Sequence, residues 1–229
     1  MLKNFLVLLL LGFIVFGCKS ENDKLTDLEI GRNYYPLKKG NYWIYDVTET
    51  TVRNNIYDSV KYQVRETVDT VYRNLENEDT YHIIRARRQN ASAAWLNDSV
   101  FTANKSGTNV RLTHNNYKVV KLIFPVMEGK GWDANAFNTL EENQYYLRDI
   151  GQAYALRDTT YSNTLTVVQG EPNEVTLDDR YEIYAYGIGL VHKRFIVYEY
   201  FQNQGIIDNT RVTKGTRKEM SLISYHIKP

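Results

Sequence analysis

Histidines, paired carboxylates and clustered arginines are the side chains of this sequence that could do chemistry, and each falls short of a working constellation. The four histidines, His82, His114, His192 and His226, stand singly in alternating runs, with no HExxH pair and no cysteine companion. The spacing that would gather ligands around a zinc ion is therefore missing. Glu141-Glu142 and Asp178-Asp179 could supply the acid and base of glycoside hydrolysis, but adjacent residues on a strand or loop point apart, and that reaction depends on a separation in space. Arg85, Arg87 and Arg88 could grip phosphates or acidic sugars through guanidinium forks. Their plainer reading is a solvated strand edge whose charge discourages edge-to-edge pairing. Gly187-Ile188-Gly189 lacks the third glycine and the helix of a nucleotide loop, and no G-x-S-x-G elbow occurs. The sequence thus assigns no catalytic residue, no metal ligand and no cofactor, and a non-enzymatic protein is expected.

The most specific chemistry belongs to Cys18, the only cysteine. A lone Lys3, the uncharged run Phe5 to Gly17 and the small Gly17 ahead of a cut site together form a secretory signal. The run is shorter than the roughly 20 residues a membrane-spanning helix needs. The segment VFGCKS at its end resembles the lipobox of bacterial lipoproteins, in the looser form common among Bacteroidetes-type proteins: Phe16 and Val15 stand where a smaller residue and a leucine are more usual. The resemblance implies a thioether-linked diacylglycerol on Cys18 and a palmitate-type chain on its amine after cleavage. Three acyl chains, at about 0.8 kcal/mol per buried methylene, exceed what stable anchoring needs. Lys19 occupies the place of an inner-membrane retention aspartate, which implies the outer membrane. Glu21 and Asp23 open the tether with weak acidity, a partial match to surface-export signals, so the periplasmic or cell-surface face stays open. The expected division is a signal peptide over 1–17, a lipidated flexible tether over 18–33 and a single all-β domain over 34–229.

Removing the signal removes Lys3, leaving 27 basic and 27 acidic side chains. A neutral body argues against nucleic acid, whose binding draws most of its affinity from basic surface. Nineteen tyrosines against four prolines, with abundant Val, Ile and Thr, favour strands over helices.

Along the chain, Trp43, Tyr45 and Val47 share one face of a first strand, and Val60, Tyr62 and Val64 share one face of the next. Asn54-Asn55 supplies the turn of a hairpin between them. VDTVYRNL and DTYHIIRARRQ form a second antiparallel pair, and NDSVFTAN, NVRLTHN and YKVVKLIF succeed them at short spacing. A turn or two of helix fits near Leu140, ahead of a strand from Gln144 to Ile150. Gly187 and Gly189 mark a bulge or sharp bend, and the C-terminal run closes the sheet. Regular short strands divided by turn residues predict an all-β curved antiparallel sheet, a half-barrel or open barrel, with few short helical turns. One echo recurs at identical offsets: Tyr35-Pro36-Leu37, Gly40 and Trp43, then Phe124-Pro125-Val126, Gly129 and Trp132. Copies 89 residues apart are too distant for a solenoid and suit two related half-sheets or a repeated way of covering one end.

YYPLKKGNYWIYDV, IFPVMEGKGWD and YEIYAYGIGLVHK are similar to motifs of a loose group of uncharacterised exported bacterial proteins, often lipoproteins. The group's likeness to the half-barrel of periplasmic lipoprotein carriers is an analogy, and it carries no catalytic residue to transfer. Asp58-Ser59-Val60, Asp69-Thr70-Val71, Asp98-Ser99-Val100 and Asp158-Thr159-Thr160 resemble the acceptor tripeptide of Bacteroidetes-type O-glycosylation, where average composition gives about one. Ser59, Thr70, Ser99 and Thr159 are therefore candidate acceptors, although aspartate at the start of a β-branched strand produces the same tripeptides. The leading functional expectation is an outer-membrane lipoprotein acting as a binding or envelope-assembly module, with an envelope protein, a glycan or a lipid as partner. A carrier of hydrophobic or lipid ligands in a half-barrel cavity and a glycan-active hydrolase are the alternatives.

Overall fold

A computed structural model describes residues 25–229. Cys18, the signal and the first part of the tether lie outside the described residues. Twelve antiparallel strands succeed one another: β1 (Tyr42–Arg53), β2 (Ile56–Arg73), β3 (Asp79–Arg88), β4 (Leu96–Lys105), β5 (Asn109–His114) and β6 (Tyr117–Ile123). The second half comprises β7 (Gly131–Asp133), β8 (Gln144–Leu156), β9 (Thr159–Gly170), β10 (Thr176–Ala185), β11 (Gly189–Asn203) and β12 (Ile206–His226). They form one sheet in the order β6-β5-β4-β3-β2-β1-β12-β11-β10-β9-β8-β7. Taken cyclically, every strand neighbours its predecessor in sequence. The fold is an up-and-down barrel, nearly closed, in which β1 pairs β12 from Tyr42 opposite His226 to Arg53 opposite Lys214.

The seam lies between β6 and β7. It is bridged by the Val120 amide donating to the Ala134 carbonyl at 2.9 Å, by the Trp132 indole donating to Val120 O at 3.0 Å and by the Asn138 amide donating to Lys118 O at 3.0 Å. The repeated Pro-Gly-Trp pattern has a structural counterpart here. Its first copy leads into β1 and its second into β7, the opening strands of two six-stranded halves. Both glycines take left-handed φ, 92° at Gly40 and 72° at Gly129, a conformation glycine adopts without steric cost.

Hairpin geometry obeys the turn residues. Asn54 and Asn55, at φ 47° and 63°, provide the two positive φ values of the tight turn that matches strand twist. The two runs expected around Val64 and Val71 are a single strand, β2, whose register shifts between Val68 and Thr70. That bulge absorbs the break in alternation, so the chain need not turn. The stretch near Leu140 forms hydrogen-bonded turns and no helix. The tether expected to run to Asn33 has a folded end: α1 (Asp27–Ile30) carries a reciprocal capping box between Thr26 and Glu29, and a short 3-10 turn spans Arg32–Tyr34.

Residues 31–37 close one end of the barrel. Gly31 lies against Val126, Asn33 O accepts from the Gly187 amide at 2.8 Å, and Lys105 Nζ donates to Tyr35 O at 2.8 Å. Tyr34 is fully buried and meets Tyr186 edge-on. This plug touches the turns that come after β4, β6 and β10, all at the same end. The tips of the β1–β2 and β11–β12 hairpins lie at the other.

Candidate functional site

The barrel interior holds charge where an apolar core would be simplest. Alternation on β2 carries the apolar series Tyr62, Val64 on to Glu66, and alternation on β10 places Glu182 beside Tyr184 on the inward face. Glu66 sits opposite Arg85 of β3, and one of its carboxylate oxygens accepts from Arg85 Nε at 3.0 Å and Nη2 at 2.6 Å. Glu182, 2% exposed, is held by three donors. Lys121 of β6 lies at 2.6 Å, Lys193 of β11 at 2.9 Å and the Tyr184 hydroxyl at 2.7 Å. Burial opposes its ionisation, but the two ammonium groups and the hydroxyl outweigh that penalty and hold its carboxyl far below the usual range.

Around these ions lies a cavity of about 100 Å³, lined by Tyr35, Trp43, Tyr45, Glu66, Lys121 and Glu182 among others. Trp43 donates its indole N–H to Ile188 O at 2.6 Å and Tyr45 its hydroxyl to Leu190 O at 3.2 Å. Burial, then the nearby carboxylates, raise Tyr35 and Tyr184 above the ordinary phenol value. Both hydroxyls stay protonated, and that of Tyr184 donates to Glu182.

The cavity adjoins a second, more open one of about 260 Å³ with which it shares Arg85, Lys193 and Met220. Tyr62, Val64, Arg87, Asp98, Phe195, Thr216 and Lys218 complete the second, the mouth of the barrel on the side away from the plug. Most of its cations are already matched: Arg85 by Glu66, Lys193 by Glu182, and Lys218 by Glu49 at 3.2 Å. Arg87 is the exception among the described residues. It has no carboxylate partner, and its guanidinium lies 3.6 Å over the Tyr62 ring centroid. Tyr62 is itself fixed, donating its hydroxyl to Glu49 at 2.6 Å.

The arginines do not have the strand-edge role expected of them. β3 is an inner strand between β2 and β4, so there is no edge to protect. Arg85 and Arg87 face inward, whereas Arg88 faces outward, bonding Gln63 at 2.7 Å and covering Trp95 at 4.3 Å. The candidate glycosylation hydroxyls are not gathered together. Ser59 and Thr70 are exposed on β2, Ser99 is half-buried on β4, and Thr159 is exposed at the start of β9. Thr70 and Ser99 donate to their preceding aspartates at 2.8 Å and 3.2 Å, and the Ser59 and Thr50 hydroxyls lie 2.8 Å apart.

Of the four histidines, His192 has the most developed surroundings. A register shift between Arg148 and Gln152, with Asp149 at φ 57° and Gly151 at φ 77°, kinks β8. The β8–β9 hairpin then reaches over the outside of the barrel. Arg157 Nη2 meets Asp46 of β1 at 2.7 Å, and Tyr154 covers His192 with ring centroids 5.9 Å apart. Tyr181 flanks the imidazole at 5.8 Å and Ser221 Oγ lies 3.4 Å from Nδ1. Burial lowers the His192 pKa from 6.5, with Glu219 opposing and Arg194 reinforcing the shift. Because the unfolded chain takes up the proton first, stability should fall as pH drops through 6.5. Urea midpoints at pH 7.5 and 5.5 should differ more for the native chain than for His192→Phe. Equal differences would mean that other groups carry the slope.

Among the described residues no three His, Cys, Asp or Glu side chains cluster as a metal site, and no helix is long and apolar enough to cross a membrane. No family model matches the chain, and no curated protein matches it. Among solved structures, a candidate lipoprotein from Parabacteroides distasonis is similar at 11% identity and a TM-score of 0.40, over 84% of this chain and 98% of that one. A likeness at that level carries no functional argument.

Sequence reasoning singled out Arg85 and Arg87 as a possible grip on acidic groups but missed Glu66, Lys121 and Glu182 and the inward face that gathers them. The signal was present, however, in charged residues continuing an apolar alternation: Glu66 after Tyr62 and Val64, and Arg85 after Tyr81 and Ile83.

Proposed function

We propose that this chain is an outer-membrane lipoprotein, anchored through Cys18, that acts by binding and not by turnover, with the open mouth of the barrel as its ligand site. The observation that carries this reading is the contrast between the two confluent cavities. In the inner one every charged side chain is in an ion pair, two lysines sharing Glu182, whereas the mouth presents a guanidinium with no carboxylate partner. With the plugged end taken as the one nearer the tether, the mouth faces away from the anchoring membrane, toward whatever the protein meets.

The alternatives fit less well. A carrier of acyl chains needs an apolar void, and binding pockets usually offer roughly 300–1,000 Å³. The void here, about 100 Å³ inside and about 260 Å³ at the mouth, reaches that size only when both parts are counted, and charged side chains line both. A glycosidase needs one carboxyl kept protonated near neutral pH, but Glu182 is pushed the opposite way and Glu66 is tied to Arg85.

Native mass spectrometry of the Cys18→Ser protein, secreted without its anchor, tests the reading. A small polar ligand retained at one per chain supports it. Retained phospholipid or fatty acid would return the carrier to first place, and turnover of a glycan or peptide substrate would overturn binding as the function.

A further inference from the structure

The mouth's chemistry is specific enough to name a ligand class, given that the mouth is the binding site. We infer that it receives a planar monoanionic carboxylate borne on a ring-sized body, such as a uronic acid or an aryl carboxylate. Three features converge on this.

The first is Arg87. A guanidinium 3.6 Å over an aromatic ring, with no hydrogen-bond or carboxylate partner among the described residues, keeps its N–H donors for a bidentate partner, the geometry a carboxylate matches. Tyr62, its platform, is 5% exposed and locked by Glu49, so the arginine is oriented before any ligand arrives. Preorganisation of this kind lowers the entropy cost of binding.

The second is the charge count. The mouth is lined by Arg85, Arg87, Lys193 and Lys218 together with Asp98, and the first, third and fourth of these cations are already paired. With Lys121, which shares Glu182 with Lys193, five cations of the two cavities face the four carboxylates Glu49, Glu66, Asp98 and Glu182, and that surplus of one positive charge suits one negative charge. A phosphate dianion would meet the same guanidinium but also face the carboxylate of Asp98, and such repulsion is how a site rejects the more highly charged competitor. Asp98 further supplies an acceptor that a hydroxylated ring can use.

The third is the wall. Phe195, Val64 and Met220 line the mouth beside its charges, as the cross-strand neighbours of Lys218, Arg87 and Lys193, and a void of about 260 Å³ lies just under the roughly 300 Å³ at which drug-sized pockets begin. The site therefore offers a ring-sized body an apolar wall next to a partner for one acidic group.

Calorimetric titration of the full-length Cys18→Ser protein at low salt with sodium glucuronate, phenylacetate, glucose, inorganic phosphate and decanoate tests the inference. At least one ring carboxylate should bind, with glucose silent and phosphate weaker. Arg87→Gln should weaken that binding about tenfold or more, the usual loss for one charge-assisted pair. Arg88→Gln, the same charge change one residue away on the outer face, should leave it within about twofold. Arg87 is exposed and Arg88 half-buried on the outer face, and neither belongs to the core, so both variants should keep the native far-ultraviolet dichroism. Phosphate binding as tightly as the carboxylates, or Arg87→Gln binding normally, would overturn the ligand class. If Phe195→Ala then still weakened whichever probe bound, the mouth would stand as the site with a different ligand. Silence of every carboxylate would overturn the class too, with the binding reading judged separately by the ligand retained in native mass spectrometry.

Discussion

Glu182→Ala is expected to destabilise the barrel by about 3–5 kcal/mol, the range for breaking a buried ion pair from one side. The carboxylate is 2% exposed, and its loss strands two ammonium groups, Lys121 at 12% side-chain exposure and Lys193 at 26%. It also strips the Tyr184 hydroxyl of its acceptor. Lys121 belongs to β6, one side of the seam, whereas Glu182 belongs to β10, so the pair ties the free edge of the first half to the second through the interior. Hydrogen exchange should therefore quicken first at the Val120 amide, whose bond to Ala134 O spans the seam. Urea unfolding would read the energy, and a loss below about 1 kcal/mol would mean that water solvates the stranded lysines. Replacing all three charged groups together, with Glu182→Leu, Lys121→Met and Lys193→Met, should recover much of the loss, because apolar groups of similar volume often match a buried ionic cluster.

The same carboxylate fixes a pH dependence. Its folded pKa is depressed from an ordinary 4.5, so its stabilisation is complete above that value. It erodes as pH falls below 4.5, because the unfolded chain binds a proton that the folded carboxyl still refuses. His192 acts in the same direction about two pH units higher. Acid should therefore weaken the protein in two steps, and His192→Phe should flatten only the upper one.

Strand content was legible because period two is written locally. Val60, Tyr62 and Val64 point one way whatever the rest of the chain does, and Asn54-Asn55 can turn without help. Barrel closure was not, because it depends on β1 meeting β12 across almost the whole chain and on an edge at β6 that ends where Phe124-Pro125 begins the second half. The repeated Pro-Gly-Trp pattern hinted at those halves without fixing how they join. The arginines teach a similar lesson. Arg85, Arg87 and Arg88 look like one cluster in sequence, but alternation sends the third to the opposite face, and only the neighbours contributed by β2, β11 and β12 give the first two their roles. Charge on an inward face is the trace that sequence leaves of such a site, and it is readable only once the face is known to be inward.

Cys18→Ser should move the protein from the membrane fraction to the soluble one with its fold unchanged. The cysteine precedes the capped turn at Thr26 that begins the folded structure, and the plug that closes the barrel starts at Gly31, so serine removes no contact within the described residues. The loss is confined to the only thiol available for a thioether. Each acyl chain contributes about 0.8 kcal/mol per buried methylene, and one chain alone binds only marginally, so loss of the modification should release the protein outright. Metabolic labelling with palmitate should mark the native chain and not the variant, and thermal unfolding of the two should coincide. A variant that stayed with membranes through alkaline carbonate would show that the anchor is not this lipid. The apolar run from Phe5 would then have to hold the chain uncleaved, despite being shorter than the roughly 20 residues that a spanning helix needs.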